Sequence, residues 1–457
     1  MSDYKQYFNW SEGIQLQHFY VFFILAALAS LYLVIKSKSR YKFEIFFLTF
    51  YLLTGNTNSL LTLKIPGFSL FEIQPERFLF FVFSYLILRK SLFAKTKFSI
   101  YINGKTPWFM VALFGFIISL IVSQIVNISH VGIGPVLKNI LDALNFLVII
   151  IAIQLMADKA SYDLVGKTII IGAIVSTIIS LIQLTIDPYF LRIGDNRLAF
   201  GGVLRSNGIF STEYFNSYYL IIAISWALIT IKNNLLKIGL VCFFSLGVIS
   251  SFQRMSWIIL ILVILTYLIY IKKMAIEKLL LAGLTSLAIL LSLSIFYYQD
   301  IMNSSLVKER LSESVDGRKG YYSMVLDNIG KKPIFGYGDL KNEVYYINLL
   351  RITGDRDRAT ATTGDLHSGY FSSLFLYGIP ACTFFILFVV LAVFYYSKSI
   401  NENLYFVIPF LVAIIYMVGN LTNTFLFFKH ITFLFAVHIG IGMGINKIKE
   451  QNSFNSL

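Results

Sequence analysis

Long apolar stretches alternate with short polar connections along almost the whole chain. An apolar run of about 18 or more residues is long enough to cross the hydrocarbon core of a membrane as a helix. A sliding window finds thirteen candidates, a few of them short or polar at one end, at 19–35, 43–62, 78–93, 108–127, 140–157, 168–187, 216–231, 238–252, 255–271, 279–297, 370–396, 404–420 and 431–446. The second run fades into Thr54-Gly55-Asn56-Thr57-Asn58, so a clean span is not predicted there. The pattern predicts an all-α polytopic integral membrane protein with about 12 or 13 transmembrane helices.

The composition agrees with this prediction. Of the 457 residues, 57% are hydrophobic and 14% are charged, whereas a soluble domain has about 45–50% apolar and about 25% charged residues. This balance excludes a soluble enzyme, a disordered tail and a nucleic-acid-binding module. Cys242 and Cys382 both lie inside apolar runs, so neither a disulfide framework nor a zinc site is predicted.

The basic residues predict the orientation of the chain. Of the 38 lysines and arginines, 19 lie in the connections 36–42, 89–105, 158–167, 232–237, 272–278 and 397–403 and in the tail after 446. The alternate connections hold the other 19, but 10 of these lie in one long segment, 298–366. Long translocated loops escape the positive-inside rule, so the short loops compare as 19 against 9. The first set is therefore predicted to be cytoplasmic, which explains most of the net charge of +14 without an anionic partner.

Four segments follow from this topology. Residues 1–297 hold transmembrane helices 1–10 with short loops, 298–366 form a large periplasmic loop, 367–446 hold the C-terminal transmembrane helices, and 447–457 form a cytoplasmic tail. The loop carries 10 acidic residues against its 10 basic ones, as a soluble segment would. The spacing of its apolar residues predicts a short helix from Asp316 to Ile329, and a turn is predicted at Phe335-Gly336-Tyr337-Gly338.

Four ionisable residues fall on the predicted outer face. Arg205 lies in the connection before the seventh run, Arg254 at a tight turn, Arg318 at the start of the loop helix, and His367 at the end of the loop. Ionisable groups near membrane depth are functional candidates by default. Arginine matches phosphate oxygens with two parallel hydrogen bonds, and histidine can take up a proton near neutral pH.

Simpler roles remain open for each of the four. Arg254 also fits an interfacial anchor, Arg205 and Arg318 also fit solvated loop charges, and His367 also fits an ordinary residue at a helix start. A metal is not predicted at Asp355-Arg356-Asp357, because nucleotide sugars are absent from the outer side and the neighbouring arginines would pair with these carboxylates. The remaining histidines have weaker contexts and are predicted to be structural; they are His18, His130, His430 and His438.

Taken in chain order, the four ionisable residues on the outer face and the glycines near them resemble the motifs of the O-antigen polymerase and O-antigen ligase superfamily of bacterial surface-polysaccharide assembly. The resemblance covers about 200–381. Its matching residues are Arg205, Gly208 and Phe210; Ser250 and Arg254; Arg318; Pro333, Gly336 and Gly338; and His367 with Gly378. Two positions depart from the family pattern: Ser368 stands where Asn often follows the histidine, and Ala381 replaces a second glycine.

The resemblance implies a membrane glycosyltransferase of the all-helical C type (GT-C fold), which inverts the anomeric centre without a metal or another cofactor. Its donor and acceptor would be glycans linked to undecaprenyl diphosphate. His367 would be the catalytic base, Arg205, Arg254 and Arg318 would bind the diphosphate, and Gly336, Gly338 and Gly378 would support the loop. The site would face the periplasm at the bacterial inner membrane, with a chain-length regulator and a flippase as possible partner proteins and no nucleic acid.

Three functions are compatible with this pattern. An O-antigen polymerase, which joins lipid-linked repeat units during lipopolysaccharide and polysaccharide biosynthesis, is favoured because polymerases are the more varied group. An O-antigen ligase, which transfers the finished glycan to lipid A–core, needs the same base and the same arginines. A lipid-linked oligosaccharide flippase has a similar length and number of spans, but a transporter would place paired charges near the membrane midplane.

Overall fold

The computed structural model describes most of the chain. The described residues are 12–55, 63–64, 72–73, 75–93, 107–192, 203–275, 325–338, 368–425 and 429–454. Their helices are α1 Glu12–Lys36, α2 Lys42–Thr54, α3 Pro75–Phe93, α4 Trp108–Val126, α5 Ile128–Val131, α6 Ile133–Leu155, α7 Lys159–Thr185, α8 Glu213–Thr230, α9 Asn234–Ser250, α10 Arg254–Tyr270, α11 Gly369–Ser399, α12 Val407–Thr422 and α13 Lys429–Phe454. A 3₁₀ turn, Leu404–Phe406, precedes α12. Two short strands, β1 Leu63–Lys64 and β2 Glu72–Ile73, pair antiparallel.

The described helices are those of an all-α polytopic membrane protein. Six segments are long and apolar enough to cross a membrane: Gln17–Lys36, Trp108–Val126, Ile133–Leu155, Lys159–Thr185, Gly369–Ser399 and Leu404–Thr422. Three shorter apolar helices have 10–17 residues, namely Asn234–Ser250, Arg254–Tyr270 and His430–Ile445. The fold class predicted from the hydrophobic pattern is confirmed.

The predicted apolar runs coincide with these helices, although the ends of several helices differ from those of the runs. Every run except 279–297 overlaps a described helix, and 279–297 lies outside the described residues. The second run ends as a helix at Thr54, where the polar residues begin. Helices α1, α6 and α7 begin 7, 7 and 9 residues before the predicted starts at 19, 140 and 168, because hydropathy windows exclude the polar residues in their first two turns.

Polar residues just before the helices fix several of these starts. Asp158, Thr212, Asn233 and Ser368 each precede a helix and accept a hydrogen bond from a backbone N–H of its first turn. Such caps satisfy donors that have no partner within the helix, and each stabilises its helix by about 1 kcal/mol. The sequence therefore determines where α7, α8, α9 and α11 begin.

Helix α8 occupies the centre of the bundle. It contacts α7, α9, α10, α12 and α13, and Tyr218, Leu220, Ile224 and Trp226 along it are each no more than 1% exposed. By contrast, α1, α4 and α9 carry exposed large apolar side chains, as expected of helices that face lipid. A residue at the first turn of α8 is therefore positioned by helices on several sides.

The two ends of the bundle carry different connections. At one end the predicted cytoplasmic connections meet: Ser39 Oγ lies 2.7 Å from Ser161 Oγ, and Tyr41 donates to Leu155 O over 3.0 Å. At the opposite end, called the loop end below, lie residues 203–212, 251–253, 333–338, 368 and 423. The grouping agrees with the predicted alternation of connections, while the assignment of each end to one side of the membrane stays a prediction.

Candidate active site

Arg205 and Glu213 form a nearly buried ion pair at the loop end. Arg205 Nη1 donates to Glu213 Oε1 over 2.7 Å, and the two side chains are 14% and 1% exposed. Glu213 is the first residue of α8, where the helix dipole favours a carboxylate. Among the described residues, Arg205 Nε and Glu213 Oε2 have no hydrogen-bond partner. The pair therefore keeps one donor and one acceptor that a ligand can use.

The backbone around Arg205 is held by its neighbours. The Arg192 guanidinium donates to Pro188 O and to Arg205 O, each over 2.6 Å. Ser206 N donates to Ser250 O over 3.2 Å, and the two serine hydroxyls lie 2.7 Å apart. The motif that begins at Arg205 is thereby joined to the motif that begins at Ser250, although 44 residues separate the two serines.

Gly208 and Phe210 of the first motif have structural roles. Gly208 has a φ of +57°, and a Cβ there would overlap Ser176 Oγ and Asn216 Oδ1. Its N–H donates to Gln183 Oε1 over 3.0 Å. Phe210 is 2% exposed and belongs to the core of the bundle. The glycine lets the loop lie close to α7 and α8, and the phenylalanine anchors it.

Arg254 is exposed and is the first residue of α10. It follows a tight turn in which Phe252 has a φ of +50°. Buried Gln253 fixes this turn on α8, because its Oε1 accepts from Ser217 Oγ over 2.8 Å and also from Ser256 Oγ. A cation in the first turn of a helix opposes the helix dipole. The arginine and the first N–H groups of α10 together suit an anionic ligand.

A second connection links α8 to the start of α11. Tyr218 accepts a hydrogen bond from Asn423 Nδ2 over 2.9 Å, and Asn423 O accepts one from Gly369 N over 2.9 Å. Ser368, which follows His367 in the chain, caps α11 and donates to Asn420 O over 3.1 Å. The first two turns of α8 therefore contact the segments that carry Arg205 and Arg254, and Asn423 links them to the start of α11.

Helix α11 is broken at Gly378, which has a φ of 86° and a ψ of 178°. Pro380 follows two residues later and lacks a backbone N–H. A Cβ on Gly378 would overlap the backbone of Ile334. Ile379 N instead donates to Pro333 O over 2.7 Å. The break therefore receives the 333–338 turn of the large loop.

The same turn satisfies two backbone carbonyls of α11. Tyr337 N donates to Phe375 O over 3.0 Å, and Gly338 N donates to Leu376 O over 2.8 Å. Gly336 and Gly338 have φ values of +60° and +78°, which favour glycine. The predicted turn at 335–338 is confirmed, and its glycines dock the loop onto the helix.

The end of α4 completes the contact with the turn. Ser123 Oγ donates to Phe335 O over 2.5 Å, and Asn127 Nδ2 donates to the same carbonyl over 3.3 Å. Lys332 Nζ lies 3.4 Å from Asn127 Oδ1 and 5.1 Å from the centre of the Tyr337 ring. Burial lowers the pKa of Lys332 and raises the pKa of Tyr337, because it disfavours the charged form of each group. The turn is therefore packed against α4 as well as α11.

Residues 238–386 match the family model for O-antigen ligase. This matched segment, called the O-antigen ligase domain below, is similar to the O-antigen ligase and polymerase superfamily. This confirms the resemblance predicted from the motifs, and members of the family are membrane enzymes of the glycosyltransferase type. A search of the curated proteins finds no match.

The O-antigen ligase domain contains most of the predicted site residues. Arg254, Arg318, Gly336, Gly338, His367 and Gly378 lie within 238–386, whereas Arg205 precedes it. The structure brings Arg205 and Arg254 to the same turns of α8 and brings the three glycines to the break in α11. His367 and Arg318 lie outside the described residues, as does the Asp355–Asp357 motif. The roles of all these residues stay predictions.

Several polar residues of the candidate site were missed from the sequence. Glu213, Gln253 and Asn423 are each no more than 6% exposed. Glu213 pairs with Arg205, while Gln253 and Asn423 hydrogen-bond Ser217 and Tyr218 of α8. Glu213 carried a usable signal, since it is an ionisable residue next to an apolar run. Gln253 and Asn423 carried none, because uncharged amides at helix ends are common caps.

Two of the histidines predicted to be structural occupy packed positions. His438 is fully buried, accepts a hydrogen bond from Trp226 Nε1 over 2.8 Å and donates from Nδ1 to Leu434 O over 2.6 Å. His430 lies 2.5 Å from the Tyr51 hydroxyl through Nδ1. His18 is exposed, and the side chain of His130 lies outside the described part. Within the described ranges, no three histidine, cysteine or acidic residues are grouped to hold a metal ion.

Proposed function

We propose that this protein is an O-antigen polymerase that joins oligosaccharide repeat units linked to undecaprenyl diphosphate. In this reaction, an acceptor hydroxyl attacks the anomeric carbon of the donor glycan. The bond from that carbon to the phosphate oxygen breaks, and undecaprenyl diphosphate leaves with the electron pair. The acceptor proton goes to His367. Attack opposite the leaving group inverts the anomeric centre.

The observation that carries the proposal is the convergence of two motif arginines on α8. Three hydrogen bonds join the relevant segments: Ser206 with Ser250, Ser217 with Gln253, and Tyr218 with Asn423. If these arginines were only interface anchors, their segments would not have to lie against the same part of α8. A site that stabilises the roughly two negative charges of one diphosphate requires its cations to lie near each other.

Arg254 suits the diphosphate because it is exposed and lies on a helix N-terminus. A guanidinium offers two parallel donors to phosphate oxygens, and the first N–H groups of α10 add further positive potential. The donor diphosphate carries about two negative charges and gains one more when the bond breaks, and the arginines stabilise this charge without a proton from an acid. Paired catalytic carboxylates, as in glycosidases, are therefore not required.

Arg205 is proposed to act from a less exposed position. Its ion pair with Glu213 uses Nη1, while Nε has no partner in the described part of the chain. Breaking a buried ion pair costs about 3–5 kcal/mol, so Glu213 holds the arginine in one orientation before the substrate arrives. Glu213 is accordingly proposed as a positioning residue for Arg205.

His367 is proposed as the base because Ser368, its neighbour in the chain, lies at the same end of the bundle. Ser368 caps α11 and donates to Asn420 O, and the next residue, Gly369, hydrogen-bonds Asn423 O. Arg318, which the family resemblance assigns to the diphosphate, is proposed as a third cation. The site would face the periplasm at the bacterial inner membrane, where a flippase and a chain-length regulator are proposed partners.

An O-antigen ligase is the second candidate, and the description of the matching family model favours it. The two reactions use the same donor and differ in the acceptor. A polymerase uses a second lipid-linked glycan, whereas a ligase uses lipid A–core. The residues of the site serve both reactions, so the acceptor must be tested directly.

The test is a reconstitution with defined substrates. Purified protein in liposomes is incubated with undecaprenyl-diphosphate-linked repeat units, with or without lipid A–core and with a chelator present. Longer lipid-linked chains in the absence of lipid A–core support the polymerase. Transfer only to lipid A–core supports the ligase, and movement of the unchanged substrate across the bilayer without any transfer supports a flippase.

A further inference from the structure

A cavity of about 100 Å³ lies in the loop half of the bundle, between α4, α6, α11, α12 and α13. The ring of Phe425 contacts both the candidate active site and the wall of this cavity. It packs on Tyr218 of the candidate active site with centroids 4.4 Å apart, and on Tyr416 of the cavity wall with centroids 5.9 Å apart. The cavity is therefore a neighbour of the proposed site and not a part of it.

One wall of the cavity is unexpectedly polar. Asn139, Asp142 and Asn145 of α6 all line it, and their spacing of three residues places them on one face of the helix. They extend over about 9 Å along the helix axis, inside the candidate span Ile133–Leu155. Polar and ionisable residues at this depth are costly and are retained for a function.

Two polar atoms at this wall have hydrogen-bonding capacity left. Asn145 Oδ1 is buried without a partner among the described residues, and the same holds for Gln124 Nε2. Gln124 is fully buried and adjoins the wall, because its Oε1 accepts from Asn139 Nδ2 over 3.4 Å. Buried polar groups normally have partners, and an unsatisfied one costs about 1–3 kcal/mol. A hydroxyl group both donates and accepts, so a ligand with hydroxyl groups could bond the acceptor Asn145 Oδ1 and the donor Gln124 Nε2.

The rest of the lining is mostly aromatic. Phe116, Phe385 and Phe388 contribute rings from α4 and α11, and Tyr377 and Tyr416 add rings with hydroxyl groups. Aromatic faces pack on the C–H faces of sugar rings, while carboxylates and carboxamides bind the hydroxyl groups at the ring edge. The described lining has no group of three histidine, cysteine or acidic residues that could hold a metal ion. An isoprenoid chain would leave Asn145 Oδ1 and Gln124 Nε2 without hydrogen bonds.

We propose that this cavity binds a sugar ring of the lipid-linked glycan, with Asp142 as the main acceptor for its hydroxyl groups. The proposal rests on the proposed function for the identity of the glycan, but it assigns a separate subsite. Asn139 and Asn145 flank Asp142 and bind neighbouring hydroxyl groups. The site is thus selective for the sugar, whereas the arginines recognise the diphosphate common to all such donors.

The first test places a fluorescent reporter in the cavity. Phe146 lines the cavity and is replaced in Phe146→Trp, while Leu144→Trp, at a 37% exposed position on the same helix, is the control. Each full-length protein in nanodiscs is titrated with the undecaprenyl-diphosphate-linked glycan extracted from cells that lack this protein. Parallel titrations use the oligosaccharide released from it by mild acid and undecaprenyl diphosphate without sugar.

We expect a saturable fluorescence change in Phe146→Trp with both glycan-bearing probes, and none in the control. Asp142→Asn keeps the size of the side chain and should weaken binding about tenfold or more, as for the loss of a hydrogen bond to a charged group. This variant is measured by the shift in melting temperature on adding the glycan, which needs no reporter. Asp163→Asn, at the opposite end of the bundle, should bind as the unmodified protein does.

A response to undecaprenyl diphosphate alone would assign the cavity to the lipid and overturn the proposal. Unchanged affinity in Asp142→Asn would also overturn it. Polymer formation by a protein whose cavity does not respond to the glycan refutes this inference and leaves the proposed function intact. A fluorescence response to the glycan without any glycosyl transfer would refute the proposed function and leave the sugar-binding cavity supported.

Discussion

The two places where motifs meet at the loop end are built in different ways. Around α8, side chains bind side chains: the Arg205–Glu213 ion pair, the Ser206–Ser250 contact and the Ser217–Gln253 hydrogen bond. At the break in α11, the backbone of the 333–338 turn binds the backbone of the helix, as in Tyr337 N to Phe375 O. The first place keeps an exposed arginine and unpartnered polar atoms, whereas the second is held by backbone hydrogen bonds and glycines. We infer that α8 organises the chemistry and that the α11 break holds the loop.

The largest effect is expected at the α11 break. Gly378→Val introduces a side chain at a φ of 86°, where its Cβ overlaps the Ile334 backbone. Because neither backbone segment can move without losing its hydrogen bonds, we expect little folded protein in the membrane. Gly239→Ala on α9 is the control, since a Cβ there meets nothing within 4 Å. Normal thermal stability of Gly378→Val would show that the turn does not dock as described.

Arg254→Lys should separate chemistry from folding. The side chain is exposed, so the thermal stability should not change, but the lysine cannot supply two parallel hydrogen bonds to a diphosphate. We expect the turnover number to fall about 100-fold, as for the loss of one donor that stabilises developing charge. Arg89→Lys, at an arginine paired with Glu44 at the opposite end, should retain activity. Full activity of Arg254→Lys would favour the interface-anchor role.

Variants of the Arg205–Glu213 pair should change the free energy of unfolding and the transfer activity separately. Glu213→Leu leaves a nearly buried guanidinium unpaired and should lower the free energy of unfolding by about 3 kcal/mol. The double variant Arg205→Met/Glu213→Leu removes both charges and should regain most of that stability while staying inactive. Chemical unfolding and transfer assays on the single and double variants measure the two effects. An active double variant would make the pair purely structural.

The smallest effect is expected from Ser123→Ala, which removes one hydrogen bond between α4 and the turn. A loss of about 1 kcal/mol in stability, seen as a small fall in melting temperature, should leave the turnover number within about twofold. A large fall in turnover without a change in stability would assign the turn to chemistry. The α11 break would then take part in catalysis, and it would no longer differ in role from the site around α8.

Much of this architecture could be predicted from the sequence because membrane helices are specified locally. Apolar length and short polar connections give the spans, and the spacing of Gly336 and Gly338 gives the turn. The starts of α1, α6 and α7 precede the predicted ones, because their first two turns contain polar residues such as Glu12, Lys138 and Asp163, which lower the hydropathy without preventing a helix.

The contacts that build the candidate site could not be predicted. Glu213 is eight residues from Arg205, and its partner is decided by the path of the loop between them and not by a helical or strand repeat. The contact of Tyr218 with Asn423 joins residues 205 positions apart. Docking of the 333–338 turn into α11 likewise depends on which carbonyls the break leaves without a helical partner. Such long-range choices depend on packing between elements, which periodicity does not encode.

The most direct test of the account is the activity of a His367→Ala variant in the reconstituted system. The protein is compared with the unmodified chain at equal amounts in liposomes, using undecaprenyl-diphosphate-linked repeat units and scoring the length of the lipid-linked products. We expect long chains to disappear while the protein level and the melting temperature are unchanged. A normal ladder of products from His367→Ala would contradict the assignment of this histidine as the base.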